Sequence, residues 1–204
     1  GAYLSEGKIF YKGKFIADAS ELAISGEHNA YNALATVCVA EIMGVNESAI
    51  VDSLKTFKGV KHRIQFVKTV SGVDYYNDSK ATNIDATVKA VATMVKPTVL
   101  IVGGKDKGLD FDKLFDGIAG SEVKAVVATG ESAFRIIESA KKCNFPSISM
   151  ASEFSVAVAL ASYIAKNGDA VLLSPACSSF DRFSDFEERG DYYIKLVESI
   201  NADE

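Results

Sequence analysis

The chain has 204 residues, of which 48% are hydrophobic and 24% charged, and its formal net charge is −5. This balance is typical of a globular protein of one large domain, or of one domain with part of another, and it argues against a nucleic-acid-binding protein. The apolar runs are far too short to cross a membrane, and we expect no signal peptide, because the sequence lacks a basic start followed by an apolar stretch.

The pattern of the three cysteines indicates a cellular compartment and does not indicate a disulfide or metal site. Cys38, Cys143 and Cys177 are far apart in the sequence, so they match neither a disulfide framework nor a zinc site. A reducing, cytoplasmic location follows from this pattern. Cys177 could be a nucleophile, but His28 and His62 are both distant in sequence, and a buried small side chain is the favoured interpretation.

The first part of the chain is predicted to contain a β-hairpin. Residues 8–11 and 14–17 have the composition of short strands, and Lys12-Gly13 between them is suited to a tight turn. Two strands by themselves are only marginally stable in water. We therefore expect the hairpin to belong to a larger sheet.

Two helices are predicted after the hairpin. The first opens at Gly26 and runs to about Met43, and the second covers residues 47–57 with Asn46 as its N-cap. No strands of a central sheet accompany these helices. Residues 1–62 are therefore predicted to be the tail of a domain whose beginning is absent from the chain.

The remainder, residues 63–204, alternates strictly between strands and helices. Strands are centred near residues 65, 75, 100, 126, 148 and 171, and helices lie near 84–95, 111–118, 132–142, 153–166 and 184–200. This alternation predicts an α/β fold, a Rossmann-like, doubly wound and mostly parallel sheet with helices on both faces. Only the first two strands, joined by a turn at Ser71-Gly72, are predicted to be antiparallel.

The corner after the second strand of this domain, Asn77 to Asn83, carries the strongest chemical signal. In a parallel α/β sheet ligands bind outside the carboxyl ends of the strands, which is where this corner lies. Asp78, Ser79, Thr82 and Asn83 can cap the following helix. Lys80 is a cation near the positive end of that helix, a conflict that a bound anion would resolve, although an ordinary capped turn with a solvated lysine explains the local residues equally well.

Three other strand ends carry weaker signals. Gly103 to Gly108 contains two lysines but is neither a Walker loop nor a dinucleotide-binding motif. Ser174 to Asp181 offers hydroxyl groups at another helix start, and Thr129 to Ser132 is the weakest of the three. If they share one edge of the sheet, the lysine-bearing and hydroxyl-bearing ends form a pocket for a small molecule with carboxylates or phosphates.

The motifs, in this order, resemble the Mur ligase family, and in particular the back half of its D-glutamate-adding members in peptidoglycan synthesis. The motifs that carry the resemblance lie at residues 26–35, 62–63, 77–83, 103–108 and 173–190. The resemblance covers essentially the whole chain, and the motifs at 77–83 and 173–190 are specific. It implies two parts, with residues 1–62 the tail of a central ATP-binding domain and residues 63–204 the C-terminal Rossmann-like domain.

The resemblance also implies an activity and a set of roles. The family's D-glutamate-adding enzymes join D-glutamate to UDP-N-acetylmuramoyl-L-alanine with ATP, through an acyl-phosphate. Lys80 would be catalytic, as an electrostatic stabiliser of developing negative charge. Residues that would bind D-glutamate are Lys80, Thr82, Lys107, Ser179 and Phe186, and residues that would lie near ATP are Asn29, Asn32, Arg63 and Asp78.

The chain departs from the family pattern in one large respect. The family's nucleotide-binding Gly-Lys-Thr/Ser loop and its magnesium ligands are absent here, so magnesium is expected to bind residues outside the chain. We therefore expect a cytoplasmic, monomeric ligase part that binds small molecules, neither nucleic acid nor membrane, and that is inactive alone. A freestanding Rossmann-like nucleotide- or anion-binding module without catalysis is the alternative.

Overall fold

A computed structural model describes residues 1–24, 27–57 and 59–201. Gly26, at which the first helix is predicted to open, lies outside the described residues. The chain divides into two compact units, Gly1–Val60 and Lys61–Glu204. Among the described residues, no helix has the length and apolar character needed to cross a membrane.

The first unit contains a three-stranded antiparallel sheet. Its strands are β1 (Ala2–Ser5), β2 (Lys8–Tyr11) and β3 (Lys14–Asp18), in the order β1-β2-β3. The hairpin of β2 and β3 is confirmed, but the prediction of only two strands is wrong. Strand β1 was missed because Glu6-Gly7, with φ of 50° and 72°, forms the turn after it, and glutamate is not a residue that signals such a turn.

Two helices pack on this small sheet. They are α1 (Glu27–Ile42) and α2 (Glu47–Thr56), as predicted to within about a residue at each end. The Asn46 side chain accepts a hydrogen bond from the Ser48 N–H and caps α2, also as predicted. The apolar core of the unit consists of residues from all these elements, namely Ile9, Ile16, Ala17, Ala33, Val37, Ile50 and Leu54.

The second unit is built on a six-stranded sheet. Its strands are β4 (Gln65–Val70), β5 (Val73–Asn77), β6 (Thr98–Gly103), β7 (Val123–Thr129), β8 (Ile148–Ala151) and β9 (Ala170–Leu173). The order across the sheet is β4-β5-β9-β6-β7-β8, and only β4 and β5 pair antiparallel. The predicted strands and the mostly parallel sheet are confirmed.

Helices cover both faces of this sheet. They are α3 (Ile84–Val91), α4 (Asp112–Ile118), α5 (Ala133–Lys142), α6 (Phe154–Ile164) and α7 (Phe186–Glu198). Helices α6 and α7 pack on one face, against side chains such as Val99 and Val171, and α3, α4 and α5 pack on the other, against Leu100 and Leu172. Because both faces are covered, the central strands are continuous apolar runs; all six residues of β6 are buried.

The position of β9 decides where the loops meet. Strands β5 and β6 follow one another in the sequence but are not neighbours in the sheet, because β9 lies between them. The carboxyl ends of β5, β9, β6 and β7 therefore stand side by side along one edge, which we call the carboxyl edge. Ligands of open α/β sheets bind at this kind of edge, at the point where the strand order reverses.

Candidate functional site

Four loops meet at the carboxyl edge and are joined by hydrogen bonds. The Asp78 N–H donates to the Leu173 carbonyl over 2.7 Å, which ties the loop after β5 to that after β9. The Lys105 N–H donates to the Ser178 carbonyl over 2.9 Å, which ties the loop after β6 to the loop after β9. The Ser132 N–H donates to the Gly104 carbonyl over 3.0 Å and adds the loop after β7. The strand ends singled out in the sequence thus share one edge.

Two lysines at this edge are available to bind an anion. Lys80 and Lys107 are both exposed, and within the described parts of the chain neither forms an ion pair with a carboxylate. The Lys80 Nζ lies 4.9 Å from the Phe186 ring centroid, and the Lys107 Nζ lies 6.0 Å from that of Phe180. Aromatic rings attract cations without neutralising them, so both charges remain for a ligand.

A third lysine at this edge, Lys105, already forms an ion pair. Its Nζ lies 2.6 Å from Glu131, and that ion pair occupies it at the same edge of the sheet. The carboxyl edge therefore contains two unpaired lysines and one paired lysine. Lys105 is the natural control for any substitution of the other two.

The helix after β5 is capped by a single one of the four predicted candidates. Helix α3 begins at Ile84, and the Asn83 side chain accepts a hydrogen bond from the Ala86 N–H over 2.9 Å. The Asp78 and Ser79 side chains instead bind other parts of the domain, so their prediction as caps is wrong. Lys80 lies in the turn before the cap, four residues from the helix start, where the dipole has little effect.

Asp78 is buried, with only 4% of its surface exposed. Its carboxylate accepts hydrogen bonds from the Ser174 hydroxyl over 2.7 Å and from the Ile64 N–H over 3.2 Å. Burial raises the pKa of Asp78 to about 6, although these hydrogen bonds and the charge of Arg63 act in the opposite direction. Asp78 thus links the loops after β5 and β9, and its predicted contact with a nucleotide stays a prediction.

The raised pKa predicts how Asp78 affects stability. Because the folded pKa is higher than that of the unfolded chain, the stability Asp78 contributes is greatest below pH 4 and is lost as the pH rises through about 6. The loss amounts to roughly 3 kcal/mol. Asp78→Asn should remove this pH-dependent loss of stability, since the amide oxygen can accept from the Ile64 N–H and the amide cannot ionise. The free energy of unfolding, measured in urea at pH 4 and at pH 7, should therefore rise in the variant relative to wild type by about that amount between the two pH values.

Asp85→Asn is the matched control for this comparison, since Asp85 is an exposed carboxylate at the start of α3. If the difference between Asp78→Asn and wild type is the same at pH 4 and pH 7, the burial of a charge at Asp78 is not what changes stability. A gain of equal size in Asp85→Asn would have the same meaning.

The remaining predicted glutamate ligands differ in accessibility. Thr82 is half-buried in the turn before α3. Ser179 is only 2% exposed, and its carbonyl accepts hydrogen bonds from the Arg182 and Phe183 N–H groups. Phe186 is the first residue of α7, so its N–H has no acceptor within the helix, and free N–H groups at a helix N-terminus are suited to binding an anion. Their roles in binding D-glutamate stay predictions.

The residues predicted to lie near ATP belong to different units. Asn29 and Asn32 lie one turn apart on α1 in the first unit, Asn29 half-buried and Asn32 exposed. Arg63 is exposed in the second unit, two residues before β4. Side-chain amides and a guanidinium suit the polar groups of a nucleotide. Their contact with ATP stays a prediction.

The two glycines that begin the loop after β6 serve the packing of the loops against one another. Gly103 has φ of 120°, and a Cβ there would lie 1.8 Å from the Thr129 carbonyl oxygen. Gly104 has φ of 146°, and a Cβ there would lie 2.3 Å from the Ser178 carbonyl oxygen. The close backbone approach predicted for these glycines is made to the neighbouring loops.

Burial raises the pKa of the Cys177 thiol, whose Sγ lies 3.4 Å from the Ser132 hydroxyl, so Cys177 is a buried residue without the thiolate that a nucleophile requires. Within residues 1–24, 27–57 and 59–201, no three His, Cys, Asp or Glu side chains come close enough to hold a metal ion.

Sequence reasoning missed a buried arginine. Arg189 on α7 is only 2% exposed, and its guanidinium contacts Ser79 and Cys177 on two different loops of the carboxyl edge. A signal was present: Arg189 falls on the apolar stripe of α7 formed by Phe186, Tyr193 and Val197. A charged residue on the buried stripe of a helix indicates a polar contact in the interior.

A family model described as the glutamate ligase domain of Mur ligases matches residues 62–177. The curated proteins similar to this chain include a UDP-N-acetylmuramoylalanine–D-glutamate ligase of Latilactobacillus sakei, which is 44% identical over 200 residues. A protein of the same name from Streptococcus suis is 45% identical over 201 residues. Each alignment covers 98% of this chain but only 44% of the relative, so the chain spans less than half the length of these relatives.

Solved structures share the fold at low sequence identity. UDP-N-acetylmuramate-alanine ligase MurC of Thermotoga maritima gives a TM-score of 0.66 at 16% identity and covers 87% of this chain and 39% of that one. MurF ligase of the same organism, in complex with ADP, gives 0.62 at 16% identity and covers 97% and 46%. E. coli FolC, also in complex with ADP, gives 0.67 at 16% identity with the same coverage.

Proposed function

The chain belongs to the Mur ligase family, and from this premise we propose that it is the glutamate-binding part of an ATP-dependent ligase. That ligase would join D-glutamate to UDP-N-acetylmuramoyl-L-alanine in the synthesis of peptidoglycan precursors. Two curated relatives that are named for this activity align with 98% of the chain. The observation that carries the proposal is the pair of unpaired lysines, Lys80 and Lys107, at the carboxyl edge.

A dicarboxylate amino acid suits the groups at this edge. Lys107 would bind one glutamate carboxylate, while the Ser179 hydroxyl and the Phe186 N–H would hold the other. Thr82 would face the incoming amino acid beside Lys80. Charge-assisted hydrogen bonds of this kind contribute about 1.5–3 kcal/mol each, which is enough to select a ligand with two negative groups.

Lys80 would act on the reaction through its charge. When the glutamate amine attacks an activated carboxylate, negative charge develops on the carbonyl oxygen. A lysine fixed beside that atom stabilises the charge more strongly in the transition state than in the bound substrates, and only such a difference raises the rate. The Phe186 ring, 4.9 Å from the Lys80 Nζ, would help to hold the ammonium group in place.

The nucleotide fits this chain only in part. Arg63 is exposed in the second unit and would contact the ribose. The loop after β6 does not fit the phosphates, because its glycines pack against Thr129 and Ser178 and its Lys105 is paired with Glu131. The Gly-Lys-Thr/Ser loop of the family does not occur in this sequence, so the proposal places the phosphates and their magnesium ion on residues of the ligase outside this chain. The isolated chain would accordingly not ligate D-glutamate.

The location and assembly of the protein extend the same proposal. A cytoplasmic monomer suits a ligase whose substrates are small nucleotide-linked molecules, and the unpaired cysteines suit a reducing compartment. The alternative function, a nucleotide- or anion-binding module without chemistry, rests on the missing phosphate loop. The two functions differ in their ligand, since such a module would bind ADP or phosphate and show no preference for D-glutamate.

Titration of the isotopically labelled chain with D-glutamate tests the proposal. The largest changes in backbone amide chemical shift should be at Lys80, Thr82, Lys107 and Ser179. Lys107→Met should weaken the affinity for D-glutamate about ten- to hundredfold, because one charge-assisted contact is lost. Lys105→Met is the matched control and should bind like wild type, since Lys105 is already paired.

L-Glutamate and inorganic phosphate complete the experiment. The proposal expects weaker binding of L-glutamate, because an L isomer with both carboxylates on the same groups directs its amine away from the position that the amine of the D isomer takes. Chemical-shift changes centred on Thr129 to Ser132 would contradict the assigned residues. Equal binding of all three ligands would favour the alternative module.

A further inference from the structure

Arg189 joins three separate segments of the carboxyl edge. Its Nε donates to the Ser79 hydroxyl over 2.9 Å, and its Nη2 donates to the Ser79 carbonyl over 2.9 Å and to the Cys177 carbonyl over 3.1 Å. The Ser79 hydroxyl in turn donates to the Phe186 carbonyl over 2.8 Å. One guanidinium on α7 therefore ties the loop after β5 to that after β9 and to the start of its own helix.

The same guanidinium lies against the loop after β6. A Cβ on Gly104 would be 3.1 Å from the Arg189 Nη1, so a larger residue at that position would press on the side chain. Each segment that Arg189 contacts carries candidate ligand groups a few residues away. Ser79 precedes Lys80, Cys177 lies two residues before Ser179, and Phe186 opens the helix.

This arginine is a costly way to fill the interior. It is 2% exposed, its Nη1 has no hydrogen-bond partner among the described residues, and no carboxylate there forms an ion pair with it. Burial lowers the pKa of Arg189 to about 10, so it remains charged at neutral pH. A buried, unpaired charge costs stability relative to an apolar side chain of similar volume.

The shape of the guanidinium explains what it supplies. Its donors lie in one rigid plane, so it holds two backbone carbonyls and a hydroxyl in fixed directions at the same time. An ammonium group is a single point with rotating donors and imposes no such arrangement. The segments that it joins are far apart in the sequence, since Arg189 lies 110 positions after Ser79.

We propose that Arg189 is a positioning residue, which sets the loops bearing Lys80, Thr82 and Ser179 at the spacing that D-glutamate requires. The identity of the ligand rests on the function proposed above, whereas the positioning of the loops does not. Arg189 would act through Ser79 and Cys177 and would not touch the ligand itself.

Amide hydrogen exchange on the chain tests the positioning directly. Two backbone hydrogen bonds hold these loops in place. The Lys80 N–H donates to the carbonyl of His62, in the segment before β4, over 3.0 Å, and the Lys105 N–H donates to the Ser178 carbonyl in the loop after β9 over 2.9 Å. In Arg189→Met both amides should exchange at least tenfold faster, because their loops open locally. The Leu100 and Val126 amides inside the sheet should exchange at the wild-type rate.

Arg182→Met is the matched control. Arg182 lies at the same edge and donates to Ser152 and Thr129, but it contacts neither Ser79 nor Cys177. Its replacement should leave exchange at Lys80 and Lys105 unchanged. If Arg189→Met does not fold, Arg189→Lys is measured in its place, and the same two amides should exchange about three- to tenfold faster, since lysine keeps the charge but loses the planar fork.

Unchanged exchange at Lys80 and Lys105 would overturn the proposal, as would equal acceleration throughout the sheet, which would indicate a loss of global stability. D-Glutamate titration adds a second readout, in which Arg189→Met should bind at least tenfold more weakly than Arg182→Met. If the wild-type chain does not bind D-glutamate, the proposed function fails, but the exchange rates still decide whether Arg189 positions the loops.

Discussion

Under the proposed function, Lys80→Ala is expected to lower the ligation rate of the intact ligase about a hundred- to a thousandfold, with a smaller effect on the KM for D-glutamate. This is the loss seen when one preorganised donor to a developing negative charge is removed from an enzyme. The Lys80 ammonium is exposed at the carboxyl edge and forms no ion pair within the described residues, so its charge is available to the reacting group. Coupled detection of released phosphate measures the rate.

Lys105→Ala provides the comparison for this result. Both lysines lie at the carboxyl edge, but Lys105 is bound to Glu131 and should contribute little, so its variant should retain most of the wild-type rate. An equal loss in both variants would show that general positive charge at the edge matters and that Lys80 has no special role. A change confined to KM would assign Lys80 to ground-state binding.

Gly103→Ala should lower the free energy of unfolding by about 3 kcal/mol or more. The added Cβ would lie 1.8 Å from the Thr129 carbonyl oxygen, and Gly103 and Thr129 are paired at the ends of adjacent buried strands. Neither strand can move aside without breaking ladder hydrogen bonds, and a φ of 120° is also unfavourable for alanine. Urea unfolding followed by far-UV circular dichroism measures the difference.

Gly108→Ala separates the two causes of that loss. Gly108 also has a positive φ, 71°, but a Cβ there meets no atom within 4 Å. Its replacement should cost only about 1–2 kcal/mol, the cost of the left-handed conformation alone. Similar losses in the two variants would mean that conformation, and not the contact with Thr129, makes glycine necessary at position 103.

Most of the secondary structure of the second unit could be predicted because local signals agree there. The β6 and β9 strands are continuous apolar runs, and glycine or proline marks most of the turns between elements. The same reasoning failed at β1. That strand is mostly exposed and is followed by Glu6-Gly7, so neither its burial pattern nor its turn distinguishes it from a loop.

The candidate site also has features that local sequence determines and features that only the fold determines. The sequence by itself determined that Lys80, Lys107 and several short polar residues follow strands, because strand ends are local features. Only the tertiary structure decided that β9 enters between β5 and β6 and brings Ser174 within 2.7 Å of Asp78. Strand order depends on packing across the whole sheet, which no short stretch of sequence specifies.

Burial was likewise decided by the fold. Asp78, Ser79 and Ser179 are polar residues in a loop-like sequence, for which exposure is the ordinary expectation, yet each is at most 4% exposed. They are buried because four loops pack on one another at the carboxyl edge, and Arg189 can reach that packing only from a helix 110 residues beyond Ser79. Local sequence therefore determined which chemical groups follow the strands, and long-range packing decided which of them remain accessible to a ligand.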